Sequence, residues 1–461
     1  MEEQIIQIDP ELCTGCGHCK EVCPVGAISG AAHSPHVIDK KKCVLCGQCI
    51  LACYGYDAES ERNIEMKQQR LEKRNMFRSV HEPLFAAYYI GTSPQLMEAL
   101  CDKETFSVVQ CAPAVRVSIA EEFNMPFGSI TPGKLAAALR KLGFDRVYDT
   151  NFAADLTVIE EGAELVERIQ NNASLPMFTS CCPAWVKYVE DAFPDLRSHL
   201  SSCKSPQQMG GAVFKTYGAK LNEVDPASVY SVAVMPCTCK KFEASRPEMN
   251  GSSYRDVDAV VTTRELARLL KYNNIDFASL EDEEFDKPLG EYSGAGNIFG
   301  VTGGVMEAAL RTACEKVTGV PLEKLELDFV RGSEGVRKAT VTHEGLELTI
   351  AVVAGLQNAA PLLEEVRQGT ADFQFLEVMC CPEGCISGGG QPKVILPAQR
   401  PVAVAKRKAA LYSHDQDCSV RKAHENPGII KLYEEFLGEP LGHTSHHLLH
   451  TEHEKNRGSY E

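Results

Sequence analysis

Eight of the chain's 20 cysteines stand in two copies of one spacing near its start, and that repeat constrains the fold more than any other feature. The copies, each C-x2-C-x2-C-x3-C, are Cys13, Cys16, Cys19 and Cys23, then Cys43, Cys46, Cys49 and Cys53. Thiolates at this spacing wrap cuboidal iron-sulfur clusters, three cysteines of one copy and the fourth of the other holding each cluster. Cys13, Cys16, Cys19 and Cys53 are therefore expected on the first cluster, and Cys43, Cys46, Cys49 and Cys23 on the second. Gly15, Gly17 and Gly47 suit the tight turns between ligands. Pro24 follows Cys23 as the pattern expects, whereas Tyr54 stands where a second proline would. Zinc sites more often pair two separate C-x2-C units, which disfavours two zinc knuckles.

The rest of the composition sets limits. A length of 461 residues suits roughly three domains, and 44% hydrophobic with 24% charged residues is ordinary globular chemistry. With 47 basic and 63 acidic side chains the net charge is -16, which disfavours non-specific binding to nucleic-acid phosphates. No apolar run reaches membrane-spanning length and no signal peptide opens the chain, so a soluble, cytoplasmic protein is expected. Cysteines in that compartment more often bind metal or do redox chemistry than form disulfides.

Residues 1–60 read as an α+β two-cluster 4Fe-4S ferredoxin-like domain, and the polar stretch 59–78 as a connecting helix assigned to residues 61–80. Beyond it, buried strands are expected at 106–111, 146–148, 177–179, 230–235 and 257–261, and helices at 135–142, 156–169 and 265–270. That alternation predicts α/β layers with largely parallel sheets.

Three short segments carry further cysteines among Pro, Gly and Met: 179–185 with Cys181 and Cys182, 235–241 with Met235, Cys237 and Lys240, and 377–392 with Met379, Cys381 and Cys385. The first two follow expected strands, whose ends converge where such folds bind cofactors. Gathered thiolates select an iron-sulfur cluster or another soft metal.

With these segments in view, the sequence resembles the FeFe-hydrogenases, and the three segments look like that family's active-site motifs. The resemblance extends to residues 421–427 and 443–450, which look like the family's small-subunit region. It implies a catalytic domain over 81–400, made of two lobes of helix-flanked sheets with the H-cluster between them, and a small-subunit-like region over 401–461. The implied reaction is the reversible interconversion of hydrogen with two protons and two electrons. Cys182, Cys237, Cys381 and Cys385 match the ligands of the catalytic 4Fe-4S cubane, and Cys385 also the bridge to a two-iron subsite. In the family that subsite carries carbon monoxide, cyanide and a dithiolate amine, and maturation proteins insert it. Lys240 matches the partner of a cyanide, while Met235, Met379, Phe299, Pro206, Gln207, Ala112 and Pro113 match the pocket wall.

The resemblance also implies a proton relay of Cys181, a water, Glu161, Ser201, Glu164 and Arg168. The helical spacing of Glu161, Glu164 and Arg168 alone reads as a solvated face; a working relay requires both carboxylates partly buried with raised pKa values. The front clusters become a wire to a ferredoxin-type electron carrier, which the exposed run Lys40, Lys41 and Lys42 could steer if it is more than a solvated turn. A fused small-subunit region and the missing export signal favour a cytoplasmic monomer. The rival reading is a slow-turnover hydrogen sensor or redox-regulated homologue; a structural or iron-sulfur assembly relative would be expected to depart at Cys385, Lys240 or the methionines.

Several residues depart from the family pattern. Cys111, Cys203, Cys239 and Cys380 stand beside motifs where Ile, Ala, Ser or Ala is expected, and Cys101, Cys314 and Cys418 have no assigned role. Free cysteine is a common buried hydrophobe, but Cys380 or Cys239 could answer to redox state. Glu383 replaces a more usual glycine, with either loop shape or cluster potential at stake. Gly388 to Gly390 would permit close approach of backbone to the cluster. The histidines His443, His446, His447, His450 and His453 suit a packed tail better than a metal site.

Overall fold

A computed structural model describes residues 5–55, 64–77, 83–332 and 335–453. At the front, the short helices His18–Glu21 and Gln48–Ala52 each start from a left-handed glycine, Gly17 (φ 85°) and Gly47 (φ 75°). A side chain would resist that conformation, so glycine fixes where each ligand helix begins. Strand Ile28–Ser29 pairs with Val37–Ile38, and Ile6–Ile8 pairs antiparallel with Ala87–Tyr89. That second pairing sews the front domain to the chain beyond the connector.

The connector helix is Ile64–Lys73, shorter than the stretch 59–78; residues 56–63 and 78–82 lie outside the described residues. Its basic side chains grip the front domain. Arg70 donates to Asp9 Oδ2 at 2.6 Å, and Arg74, one residue past the helix, lies 3.6 Å from the same oxygen.

Two four-stranded sheets form the body. One is wholly parallel, in the order Arg146–Asp149, Phe106–Cys111, Val229–Met235, Ala259–Thr262. The other runs Val336–His343, Leu346–Ala354, Phe375–Met379, Met177–Phe178, and its first pair is antiparallel. The expected strands are present with small shifts of boundary, while the antiparallel pair went unforeseen. Expected helices begin earlier than periodicity suggested, as Pro132–Leu142, Thr150–Asn171 and Thr263–Tyr272. Caps set two of those starts. Asp149 accepts from the Asn151 N–H, and Thr262 and Glu265 form a reciprocal capping box, each cap contributing about 1 kcal/mol.

The C-terminal region packs onto the body through helices Arg400–Asp417, Pro427–Leu432 and His443–Leu449. Buried Arg311 donates to both oxygens of Asp415 at 2.8 Å, tying the first of these helices to Gly304–Thr318. Among the described residues, no helix is long and apolar enough to cross a membrane.

Candidate active site

Parallel strands deliver their C-terminal ends to one crevice, and the cysteine segments leave from those ends. Met235 closes its strand just before Pro236 and Cys237; Met379 closes another before Cys380 and Cys381; Phe178 ends a third, three residues before Cys181. The resulting cavity lies between the two sheets. Cys181, Cys182, Cys237, Cys381 and Cys385 all line it, with Ala112, Pro113, Pro206, Gln207, Met235, Lys240, Phe299 and Met379. Residues as far apart as 112 and 385 in sequence thus share one wall.

The four cubane-ligand matches suit a cationic cluster. Burial pushes the Cys385 thiol up to about 12 and Cys182 to about 11, and the charges of neighbouring cysteines add to both shifts. Cys237 is raised by the same causes. Buried thiolates that repel one another become favourable only around a metal centre.

The front cysteines gather in two groups that mix the two copies of the repeat. Cys19 has Cys53, Cys13 and Cys16 as charge neighbours, and Cys43 has Cys46 and Cys23. Backbone N–H groups already aim at sulfur: Ala27 at Cys23 (3.2 Å), His36 at Cys13 (3.4 Å) and Ala87 at Cys53 (3.3 Å). Hydrogen bonds to cluster sulfurs are one of the levers on iron-sulfur potentials.

At the pocket wall, the Lys240 ammonium donates to Glu243 Oε2 at 2.9 Å and to the Cys181 carbonyl at 3.1 Å. An ammonium has three protons, so one donor stays available to an anionic ligand. Gln207 reaches the same Glu243 carboxylate at 3.1 Å, while its buried Oε1 has no partner. Glu243 therefore orders both polar residues of the wall, a role the sequence reading missed. The i, i+3 pairing of Lys240 with Glu243 was the available signal.

On the proton side the helical face is buried, against the bare expectation for charged residues: Glu161 is 1% exposed and Glu164 6%. Burial, then the charge of Glu164, pushes the Glu161 carboxyl up to about 8, and its Oε1 has no hydrogen-bond partner. Glu164 goes the other way. Burial raises it, but Arg168 (2.6 Å), the Ser201 hydroxyl (2.6 Å) and the Ser202 N–H together outweigh burial and hold it below the usual range. The expectation of two raised carboxylates is thus corrected to one. Arg168 spends its other donors on the carbonyls of Ser174, Ser198, His199 and Leu200, closing the outer end of the line. Cys181, at the inner end, is raised by burial first and by Glu161 second.

From the front domain, the loop of Cys43, Cys46 and Cys49 rests against the loops that line the cavity. Thr238 donates to the Leu45 carbonyl at 2.7 Å, and Gln48 to the Ser387 carbonyl at 3.0 Å. A Cβ on Gly389 would stand 2.4 Å from the Cys46 carbonyl oxygen, so glycine there permits contact with that loop. Gly388 and Gly390 approach Pro236 and Thr262 in the same way, so their close contacts are with backbone and neighbouring side chains. Cys46 itself lines the cavity.

Of the unassigned cysteines, Cys380 has the most informative neighbours. It is buried, and Cys46 and Cys381, one ligand match from each cluster, are its titratable neighbours. Cys111, Cys239 and Cys314 are buried, Cys418 is partly buried with its thiol donating to the His414 carbonyl, and Cys101 is exposed. Glu383 adopts φ 63°, which explains why glycine is usual there, and its carboxylate pairs with Lys408 at 2.8 Å. The added charge at Glu383 is therefore compensated. The tail histidines disperse: His443, His446 and His447 are exposed, His450 is buried, and His453 bonds the Ser201 carbonyl at 2.8 Å.

Comparison with known proteins agrees with this geometry. The iron only hydrogenase large subunit, C-terminal domain, matches residues 105–389; the iron hydrogenase small subunit matches 402–456; and a 4Fe-4S binding domain matches 6–29. Iron hydrogenase 1 of Clostridium pasteurianum is 42% identical over 91% of this chain and 75% of its own length. The NADP-reducing hydrogenase subunit HndD of Solidesulfovibrio fructosivorans is 44% identical over 97% of this chain and 74% of its own. More distantly, a cytosolic iron-sulfur assembly component of Rattus norvegicus is 32% identical over 75% of this chain and 73% of its own. An FeFe-hydrogenase structure from Chlamydomonas reinhardtii superposes with a TM-score of 0.69 at 41% identity, covering 78% of this chain and 98% of the other. The chain belongs to the iron-only, or FeFe, hydrogenase family, oxidoreductases that carry 4Fe-4S clusters and an H-cluster.

Proposed function

We propose that this hydrogenase exchanges electrons with a ferredoxin-type carrier through its two front clusters and exchanges protons with water through Cys181. The observation that carries the reading is the cavity where cysteines from three segments meet Cys181 at the head of a buried acidic line. Cys182, Cys237, Cys381 and Cys385 would hold the cubane, with Cys385 also meeting the two-iron subsite. When bound, the H-cluster supplies irons at which hydrogen is split or formed.

The chain's own residues do the rest. Lys240, fixed by Glu243, offers a donor to an anionic iron ligand, and Met235, Met379, Phe299, Pro206, Ala112 and Pro113 keep water away from the subsite. A proton on Cys181 passes by a water to Glu161, then across the Ser201 hydroxyl to Glu164, and out past Arg168. Glu161, near 8, can both take and release a proton close to neutral pH. Cys46, which lines the cavity, would help hold the second 4Fe-4S cluster and Cys16, which is exposed, the first; when bound, these clusters would supply one-electron chemistry between the cavity and a carrier at the surface. Lys40, Lys41 and Lys42 are exposed and offer an acidic carrier a basic patch on an acidic protein.

The corresponding units are residues 1–60 for the two clusters, 61–80 for the connector, 81–400 for catalysis and 401–461 for the small-subunit-like region. The chain would act as a cytoplasmic monomer whose two-iron subsite is installed by maturation proteins. Its 20 cysteines, all unpaired, suit a reducing compartment.

The test is hydrogen turnover in both directions on anaerobic protein loaded with all clusters, using a viologen dye, then reduced ferredoxin, then NADPH. Ferredoxin should drive hydrogen evolution and NADPH alone should not; the reverse result replaces the carrier. The contacts of Cys380 with Cys46 and Cys381 favour a second reading, a slow-turnover enzyme regulated by redox state. Infrared bands of bound carbon monoxide and cyanide with little turnover would select that reading.

A further inference from the structure

Glu160 follows directly on the relay in sequence yet takes no part in it. It is fully buried on the helix Thr150–Asn171, and a buried carboxylate requires partners. It has three. The Tyr433 hydroxyl donates to Oε1, the Leu441 N–H donates to Oε2 at 2.9 Å, and His450 Nε2 lies 3.1 Å from Oε2.

His450 is brought there by the C-terminal segment. An isolated antiparallel bridge joins His450 to Cys203, the Lys204 N–H donates to the Leu449 carbonyl at 2.8 Å, and the Thr451 N–H donates to the Ser202 carbonyl at 2.7 Å. The second ring nitrogen, Nδ1, lies 2.8 Å from the Ser202 hydroxyl and 3.9 Å from the Cys203 sulfur. Glu164, Cys203 and His450 each place a polar or sulfur atom within 4.8 Å of those of the other two. An ionisable chain thus continues from the relay carboxylate Glu164 to a second buried carboxylate. Tyr433, at its far end, is half-buried and lines a surface groove with Ile159, Gly162 and Glu434.

We infer that the relay has a second exit, from Glu164 across Cys203 and Ser202 to His450, then through Glu160 and the Tyr433 hydroxyl to water in the groove that Tyr433 lines. The inference rests on the relay proposed above. Imidazole suits the middle position because one nitrogen can accept a proton while the other gives one up. One proton enters at Nδ1, one leaves from Nε2 to Glu160, and a flip of the ring restores the starting tautomer. The groups facing His450 are Glu160, Glu164, Cys203, Ser202 and the ring of exposed His446, stacked 4.8 Å away. A purely structural anchor would need the hydrogen bonds but no titratable group at the His450 position.

The experiment compares hydrogen oxidation by cluster-loaded wild type, His450→Gln, Glu160→Gln, Arg168→Gln and the His450→Gln/Arg168→Gln pair, with Glu161→Gln as control on the relay. With two parallel exits, His450→Gln alone should cost about twofold, and the pair on the order of 10²-fold beyond the product of its singles. A second readout uses protein holding its 4Fe-4S clusters without the two-iron subsite. Its infrared difference spectrum between two pH values should show a carboxyl band that disappears in Glu160→Gln and shifts in His450→Gln. If the pair fails to assemble its clusters, His450→Asn with Arg168→Lys replaces it. Turnover lost in Glu161→Gln, with an additive pair and no Glu160 band, overturns the second exit alone. Full turnover in Glu161→Gln overturns the relay beneath it.

Discussion

The proton side and the electron side of the cavity are built on opposite principles. The proposed proton path is a single file of side chains, Cys181, Glu161, Ser201 and Glu164, in which each member carries its own chemistry. The proposed electron path crosses backbone pressed on backbone, Gly389 against Cys46, with Thr238 and Gln48 hydrogen-bonded across the seam. A proton moves only over a hydrogen-bond length, so its path cannot be substituted freely. The electron path needs the clusters close together and leaves the intervening side chains open to variation. The departures from the family pattern fall on both sides: Cys380 is buried beside Cys46 and Cys381, and Cys203 is buried beside Ser201 and Glu164.

The sharpest way to break the comparison is Cys181→Ala. On the proton side it should cost at least 10²- to 10⁴-fold in turnover, the range of general acid-base catalysis, while the infrared bands of the assembled subsite persist. Retained turnover would mean that protons do not pass in single file.

Next comes the contrast between Glu161 and Glu164, one helical turn apart with opposite shifts. Glu161→Gln should cost on the order of 10²-fold, because it removes the only member near neutrality. The same residue has a stability signature. Its folded pKa lies above its unfolded value, so its contribution is complete below about pH 4.5 and is lost as pH rises through about 8. Glu161→Gln should therefore flatten the decline in stability across that window, read as apparent Tm against pH. Glu164 is depressed instead: its contribution is present above its unfolded pKa and is lost on acidification through its lower folded value. An unchanged slope in Glu161→Gln would show that Glu161 is not held protonated.

These shifts also mark how far the sequence reaches. The 4Fe-4S cofactors of the front were legible because the cysteine spacing within residues 13–53 is local. The parallel sheet was legible because strands such as Phe106–Cys111 are continuous apolar runs. Val336–His343 escaped because its exposed and buried positions carry Arg, Lys and Thr, which hide the alternation. The sign at Glu164 escaped as well. Spacing places Arg168 on its face, but only the fold adds the Ser201 hydroxyl and the Ser202 N–H from 37 and 38 residues away. Cys380 beside Cys46 is a contact between distant segments, and no local pattern announces it.

A smaller effect tests the electron side. Cys380→Ala removes a buried thiol beside Cys46 and Cys381, and a hydrogen bond from that thiol to one ligand sulfur would contribute about 1 kcal/mol. A midpoint shift of tens of millivolts in the second cluster or the cubane should follow, read by electron paramagnetic resonance during redox titration, with turnover changed less than about twofold. Unchanged potentials would return Cys380 to the role of a buried small hydrophobe, and a collapse of turnover would make the electron side as exacting as the proton side.

The smallest effect is expected at Glu383, where a ligand loop departs from its pattern without harm. A left-handed conformation costs a non-glycine residue roughly 1–2 kcal/mol, which Glu383→Gly would relieve. Against that relief, glycine has more freedom to lose on folding, roughly 0.5–1 kcal/mol, and the half-exposed pair with Lys408 contributes at most about 1 kcal/mol. The terms nearly cancel, so Glu383→Gly should leave the apparent Tm of the cluster-loaded protein within a few degrees of wild type. Glu383→Ala keeps the strain and loses the pair, and should melt lower than both. If the alanine variant matches wild type, the Lys408 contact is idle and the carboxylate at Glu383 acts on the cluster without compensation. The cubane potential should then rise when the charge is removed, which the same redox titration would register.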